Sequence, residues 1–303
     1  MVGDSPESGA SRQLLPRDET AFQGAGSVTD ARQHLVDLED YFRRIGFTGE
    51  PRADQATLYT LHALHVDAIP FEALDVLMDR GISLSPPAIE EKLVHRRRGG
   101  YCLEQNLLLM NVLRQLGFEV EGLSARVRWM LSDDAPSTPR THVALKVRLG
   151  ERQWLADVGF GGSSLPRPLD LASDEAQSTC HESYRLQAIP GGWRIALSRQ
   201  GRWLPLYDIC DDPQSRADYE MMNWYTSRHL DSHFRRDLRV ARTTPQRRYT
   251  LNNRRFTVSS GDQVLEQRDL DAVQLASTLA DTFGLAVEHD LLPVLESIAK
   301  RTQ

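Results

Sequence analysis

The chain has 303 residues, 40% of them apolar and 26% charged, a balance that excludes wholesale disorder or a coiled coil and suits two or three packed units. Thirty-six Lys and Arg against 42 Asp and Glu leave a formal net charge of −6, which excludes an overall basic field for nucleic acid. No stretch approaches the roughly 18 uninterrupted apolar residues of a membrane span, and no basic start followed by an apolar run opens the chain, so a soluble, cytoplasmic protein without a membrane partner is expected.

Residues 1–27 are rich in Gly, Ser, Pro and Asp without sustained periodicity and read as a flexible tail. Helical patterning starts at Asp30, with Leu35, Leu38, Tyr41, Phe42 and Ile45 on one face and Gly46 as the stop. A second helix is predicted over 54–66 from the stripe Leu58, Leu61, Leu64; it leads into Ile69-Pro70, where proline biases the preceding residue away from helix. A third begins after Gly99-Gly100 and runs through Leu103, Leu107, Met110, Leu113 and Leu116 to Gly117. The period then changes to two. Residues 141–149 alternate, with Val143, Leu145, Val147 and Leu149 on one side, and a second strand spans 153–158. Further strands are predicted at 183–188, 192–197, 202–206, 247–258 and 262–267, and an amphipathic helix at 271–284 with Leu275, Leu279 and Phe283 inward. Helices, then antiparallel strands, then a small mixed segment make an α+β chain.

The chemistry centres on Cys102. Two glycines precede it and a helix follows, so its thiol sits at or near a helix N-terminus, where free N–H groups favour a thiolate. Lowering a thiol's pKa by about three units takes about 4 kcal/mol, and a helix end supplies at most ~2. A cationic partner, most naturally an imidazolium, must supply the rest. His142 and Asp157 are the candidates: a hairpin turning through Leu149 and Gly150 sets them directly opposite each other on one face. Nucleophile, base and orienter would then each be of suitable type. The bland alternatives stay open at this point. A helix cysteine is commonly a small buried apolar group, as expected for Cys180 and Cys210, a strand histidine is often satisfied structurally, and Asp157 would serve equally to bind a turn. Three cysteines are too few for a disulfide framework or a four-ligand zinc site, and the histidines show no ligand spacing, so no metal is expected.

Here a resemblance enters. Arg98-Gly99-Gly100-Tyr101-Cys102-Leu103-Glu104-Gln105-Asn106 resembles the RGGxCxExN motif of the arylamine N-acetyltransferase family. Companion motifs follow in the family's order: Tyr41 to Phe47, Ile69-Pro70-Phe71-Glu72, Pro139-Arg140-Thr141-His142 and Asp157-Val158-Gly159-Phe160-Gly161. Together they cover the chain from about residue 30 to its last 40 residues.

The resemblance implies a cysteine-protease-like Cys102–His142–Asp157 triad in a three-part fold: an N-terminal helical bundle over 28–118 with the nucleophile, a central antiparallel β-barrel-like domain over 119–228 with His and Asp, and a C-terminal α/β lid over 229–303. It implies ping-pong transfer of acetyl from acetyl-CoA, the co-substrate, to a small arylamine or arylhydrazine, as in xenobiotic metabolism. Thr141, Gly159, Phe160 and Gly161 would lie along the cofactor, and Arg44, Glu72 and Arg98 would form a buried ionic network beneath the site. Three segments depart from or vary within the pattern. Ala73 stands where the family commonly has Asn, the stretch from Asn223 to His229 drifts from the usual interdomain sequence, and residues 128–140 are expected to form part of the acceptor wall. Within enzymes the rival reading is an amide synthase that closes macrolactams from a carrier-bound polyketide chain. A thiol hydrolase or transglutaminase-like enzyme and a non-catalytic CoA-binding module are the others.

Overall fold

Asp37 and Asp54 decide where the first two helices begin. In the computed structural model, which describes Met1, residues 34–132 and residues 134–301, α1 (Leu38–Ile45) and α2 (Gln55–Ala68) start directly after these residues. Their carboxylates accept from the amides of Asp40 at 3.0 Å and Thr57 at 2.8 Å; such a cap stabilises by ~1 kcal/mol. The cap makes α1 shorter than the apolar spacing predicts. Residues 34–37 are not helical, and Leu35 is 66% exposed. Asp30 and, apart from Met1, the expected tail over 1–27 lie outside the described residues.

Beyond α2 come β1 (Phe71–Glu72), α3 (Leu74–Leu77) and α4 (Pro86–Glu90), which runs on as a π turn over Glu91–His95. These are too short to show a period in the sequence. The predicted third helix is α5 (Cys102–Gln115); from Cys102 to Met110 every residue is buried, so it is a central helix rather than a surface one with a single apolar stripe.

An eight-stranded antiparallel sheet follows. In chain order its strands are β2 (Glu119–Val127), β3 (Arg140–Leu149), β4 (Arg152–Ala156), β5 (Leu169–Asp170), β6 (Gln177–Ser178), β7 (Ser183–Ile189), β8 (Gly192–Arg199) and β9 (Arg202–Pro213). In space they run β5-β4-β3-β2-β9-β8-β7-β6. The two outermost strands meet through one side chain: the Gln177 amide accepts from the Asp170 N–H at 2.8 Å and donates to its carbonyl at 2.9 Å. The sheet is thereby nearly closed, like a barrel. Strand β3 is buried on both faces. Val143, Leu145 and Val147 join the apolar cluster around α5, whereas Ala144 faces Leu123, Leu155, Ile195 and Tyr207 inside the barrel.

The remainder is α6 (Arg216–Arg228), then β10 (Arg239–Thr243), β11 (Arg248–Asn252), β12 (Arg255–Ser260), β13 (Gln263–Asp269), α7 (Ala272–Asp281) and α8 (Leu292–Ala299). The expected single strand over 247–258 is a hairpin, because Asn253 takes φ +52° and turns the chain between Asn252 and Arg255. Strand β1 pairs with β10, so the second sheet, β1-β10-β11-β12-β13, takes in a strand from the helical segment. Its core is Leu74, Val240, Leu251, Phe256, Leu275, Leu279 and Phe283. The architecture is α+β, with N-terminal helices, a barrel-like antiparallel sheet and a C-terminal α/β part. Among the described residues no helix is long and apolar enough to cross a membrane.

Candidate active site

Cys102 is the first residue of α5, and a backbone crossing with two hydrogen bonds holds it there. Gly99-Gly100 runs against Pro70-Phe71-Glu72: the Gly100 N–H donates to the Pro70 carbonyl at 3.3 Å, and the Glu72 N–H to the Gly100 carbonyl at 3.0 Å. A Cβ on Gly99 would fall 2.1 Å from the Pro70 carbonyl oxygen, so this approach admits only glycine. Gln105 ties the crossing down by donating to the carbonyls of Pro70 (2.9 Å) and Gly100 (3.1 Å). Behind it His65 bridges Gln105 (2.8 Å) and the Tyr41 hydroxyl (2.9 Å); burial pushes this histidine down to about 3, so it is neutral.

The structure brings His142 and Asp157 together with the thiol. His142 Nε2 and Asp157 Oδ2 are 2.7 Å apart, and both side chains are buried. The hairpin register is not the expected one. Leu149 pairs with Arg152 and Leu145 with Ala156, so the turn is Gly150-Glu151 and Asp157 lies one residue past the end of β4. A two-residue hairpin favours φ > 0 at its first central position, and Gly150 takes φ +59° there. The offset from the expected pairing is an even number of residues, which keeps Asp157 on His142's face. Beside the imidazole, β2 pairs Ala125 with His142 and then Arg126 with Arg140, leaving Thr141 as a bulge. Its carbonyl accepts from Cys102 Sγ at 3.6 Å.

Charge is arranged to favour an ion pair. Burial opposes a proton on His142, but the Asp157 carboxylate and a hydrogen bond with the Cys102 side chain outweigh it and raise its pKa. Burial likewise acts to raise Asp157, yet His142, the Asn106 amide and the Gly159 N–H hold it below the usual carboxylate range. Asn106 is a residue whose role no sequence spacing disclosed. Its Nδ2 donates to the Val143 carbonyl (2.8 Å) and Asp157 Oδ1 (3.0 Å), and its Oδ1 accepts from the Val158 N–H (3.1 Å). Two others are Tyr207, whose ring packs 4.8 Å from that of His142, and His62, whose Nε2 accepts from the Asp157 N–H at 3.2 Å.

The segment after Asp157 closes over Cys102. Gly159 lies against Cys102, where a Cβ would come 2.6 Å from its Cα. Phe160 packs edge-on to His142 at 5.1 Å, and Gly161 opens a short 3-10 turn against Phe71. Of the four residues expected along a cofactor, Gly159 is therefore in contact with the thiol's own backbone, while Thr141 and Phe160 flank the imidazole by sequence and by ring contact.

Beneath the site lies a buried ionic cluster with a different membership from that expected. Arg98 pairs with Glu72 (2.8 Å) and Asp75 (2.7 Å), and Lys92 with Glu104 (2.8 Å), Asp75 (2.9 Å) and, more distantly, Glu72 (3.8 Å). Glu104 in turn accepts from the Tyr101 N–H at 3.1 Å, which links the cluster to the start of α5. Arg44 does not pair with Glu72: its guanidinium donates to the carbonyls of Leu93, Ala68, Arg97 and Arg98 at 3.0, 2.7, 3.3 and 3.4 Å. Ala73 is the residue before α3 and offers no side-chain cap; Glu72 Oε2 takes over, accepting from the Leu74 N–H at 2.7 Å. Among the described residues no group of three His, Cys, Asp or Glu is placed to hold a metal.

Comparison with known proteins agrees in sequence and in fold. The profile of a family described as N-acetyltransferase matches residues 54–292. The arylamine N-acetyltransferase of Mycolicibacterium smegmatis is 43% identical over 253 residues, covering 82% of this chain and 92% of its own length. That of Escherichia coli K12 is 42% identical over 255 residues, covering 83% and 89%. Among solved structures, the Salmonella typhimurium enzyme superposes with a TM-score of 0.82 at 36% identity, over 87% of this chain and 99% of the other. The Mycobacterium marinum enzyme in complex with CoA gives 0.82 at 35% identity, over 87% and 98%.

Proposed function

The chain belongs to the arylamine N-acetyltransferase family, and we propose that it carries acetyl from acetyl-CoA to an arylamine or arylhydrazine through an acetyl-Cys102 intermediate. The observation that carries this reading is the 2.7 Å bond between His142 Nε2 and Asp157 Oδ2, with Cys102 Sγ donating to the carbonyl of Thr141, the residue next to that imidazole. With Nε2 committed to Asp157, Nδ1 is the ring nitrogen left to exchange a proton with sulfur or substrate.

His142 takes the Cys102 thiol proton at Nδ1, which leaves the thiolate that attacks. Sγ attacks the thioester carbonyl, and backbone N–H groups at the start of α5 stabilise the oxyanion. The bond from the acetyl carbon to the departing sulfur breaks, and that thiolate leaves with the His142 proton. The amine then attacks acetyl-Cys102. His142 takes the amine's proton, the carbon–Sγ bond breaks, and the amide leaves with Cys102 again a thiolate. Thr141, Gly159, Phe160 and Gly161 would hold the thioester end. Support comes from the bare backbone of Gly159 against Cys102, where a Cβ would come 2.6 Å from the Cys102 Cα, and from the CoA complex of the M. marinum relative.

Initial rates with acetyl-CoA and an aniline both varied test the reading. Parallel double-reciprocal lines are expected for two half-reactions separated by release of coenzyme A; intersecting lines would overturn the acetyl-enzyme route.

A further inference from the structure

Outside the triad, Arg248 on β11 carries the most densely engaged buried charge. It is 1% exposed. Its Nε and Nη2 donate to Glu182 Oε2 at 3.2 and 2.8 Å, and Nη2 also to the Tyr184 hydroxyl at 2.9 Å. Nη1 donates to Thr243 Oγ1 at 2.9 Å and to the carbonyls of Ser164 and Gly162 at 3.0 and 3.5 Å. Glu182 is buried too, and its other oxygen accepts from Arg199 at 3.1 Å.

A buried Arg–Glu pair contributes little net stability compared with apolar filling of the same space. What an apolar side chain cannot do is bind two carbonyls of one turn. That turn, Gly161–Ser163 with Ser164 closing it, directly follows Phe160, whose ring lies 5.1 Å from His142 and 4.9 Å from Tyr207. It is pressed against two other elements. A Cβ on Gly162 would come 2.8 Å from Thr250 Cγ2, and one on Gly161 3.5 Å from the Phe71 ring.

We infer that Arg248 is a positioning residue for acyl-donor recognition: by holding the Gly162 and Ser164 carbonyls it fixes the turn that sets Phe160 and Gly161 beside His142. The inference rests on the reading of that turn as the bed of the thioester end. The guanidinium fork is required because it spans Glu182 on one edge and the turn on the other; a lysine ammonium at this position reaches one or the other.

The test compares Arg248→Lys, Gly162→Ala and Glu182→Gln with the unaltered chain, using two acetyl donors. One is acetyl-CoA; the other is p-nitrophenyl acetate, which lacks the pantetheine arm. Formation of acetyl-Cys102 is followed by intact mass at subsaturating donor, beside the thermal midpoint of each variant. Arg248→Lys and Gly162→Ala are expected to slow acylation by acetyl-CoA about tenfold and by p-nitrophenyl acetate less than about twofold. Glu182→Gln keeps the carbonyl bonds of Arg248, so it lowers the thermal midpoint while the ratio of the two donors stays within about twofold. Equal losses with both donors, tracking the fall in midpoint, or an unchanged acetyl-CoA rate would overturn the inference. Should Arg248→Lys fail to fold, Gly162→Ala decides alone, since it adds only a methyl group against Thr250. Failure of the unaltered chain to form the adduct from acetyl-CoA is a different result, which overturns the proposed function instead.

Discussion

His142 Nε2 and Asp157 Oδ2 are 2.7 Å apart, although the two residues are not partners across the sheet. The last paired residue of β4 is Ala156, opposite Leu145, and His142 lies three residues beyond Leu145 toward the open end of β3. Regular pairing alone would leave a diagonal separation of about 7–8 Å between such residues. The chain closes that gap by leaving the strand. Asp157 folds its carboxylate back in an Asx turn, accepting from the Gly159 N–H at 2.9 Å, while Asn106 clamps the same oxygen at 3.0 Å.

Replacing Asp157 by Asn keeps an acceptor for Gly159 and removes the charge that holds the His142 proton. Acetyl transfer is expected to fall by roughly two to four orders of magnitude, as when the orienting carboxylate of a triad is neutralised. The effect on stability has two signs. The raised pKa of His142 contributes stability that is fully present below its ordinary value of about 6.5 and lost as pH rises through the folded value; the lowered pKa of Asp157 contributes stability present above about 3.9 and lost as pH falls through the folded value. Urea midpoints measured from acid to alkaline pH should flatten on both limbs in Asp157→Asn. Unchanged limbs would mean that the pair is not ionised.

Two glycines near this hairpin should respond differently to alanine. Gly150→Ala forces a Cβ into a turn at φ +59°, costing about 1–2 kcal/mol with acetyl transfer retained, because nothing lies within 4 Å of the new methyl. Gly159→Ala places its methyl 2.6 Å from Cys102 Cα, so Cys102 must shift. A loss of about 10²-fold is expected there. Thermal midpoints and acylation rates of the two variants check this; equal activity in both would show that the Gly159 contact is not needed.

Lys92 is the hub of the ionic cluster. Burial opposes its charge, but Glu104, Glu72 and Asp75 outweigh burial and raise its pKa. Lys92→Met removes the cation that pairs with Glu104 and leaves Glu72 to Arg98 and Asp75 to Arg98 and Arg80, and a loss of about 3–5 kcal/mol is expected in urea unfolding. Because Glu104 caps the amide of Tyr101 at the start of α5, the alkylation rate of Cys102 should change as well. A variant that keeps the unfolding midpoint of the unaltered chain would contradict this.

Elements whose cue is local were legible in the sequence. The start of α5 shows because two glycines meet an apolar helix pattern, and β3 shows because valine and leucine alternate over most of its length. The hairpin register did not show, since Leu149-Gly150 and Gly150-Glu151 both offer a glycine and only the φ > 0 demand at the first central position separates them. Partners supplied by distant segments leave no pattern at all. Asn106 sits in the recognised motif, yet nothing in its spacing reveals that it touches both Val143 and Asp157. Tyr207 comes from β9, which reaches His142 only because β9 lies beside β2 in the barrel order. Arg44 lies outside the ionic network that the resemblance implies for a related reason: backbone carbonyls satisfy a buried guanidinium as well as a carboxylate does, and they carry no sequence signature.

Cys102 is the residue proposed to carry the acetyl group. Intact-protein mass after brief incubation with acetyl-CoA alone, repeated with Cys102→Ala, decides whether it does. One acetyl group on the unaltered chain, none on the variant, and discharge of the adduct by an aromatic amine is the predicted result. A folded protein that gains no acetyl group, or a Cys102→Ala variant that gains it equally, would contradict the account.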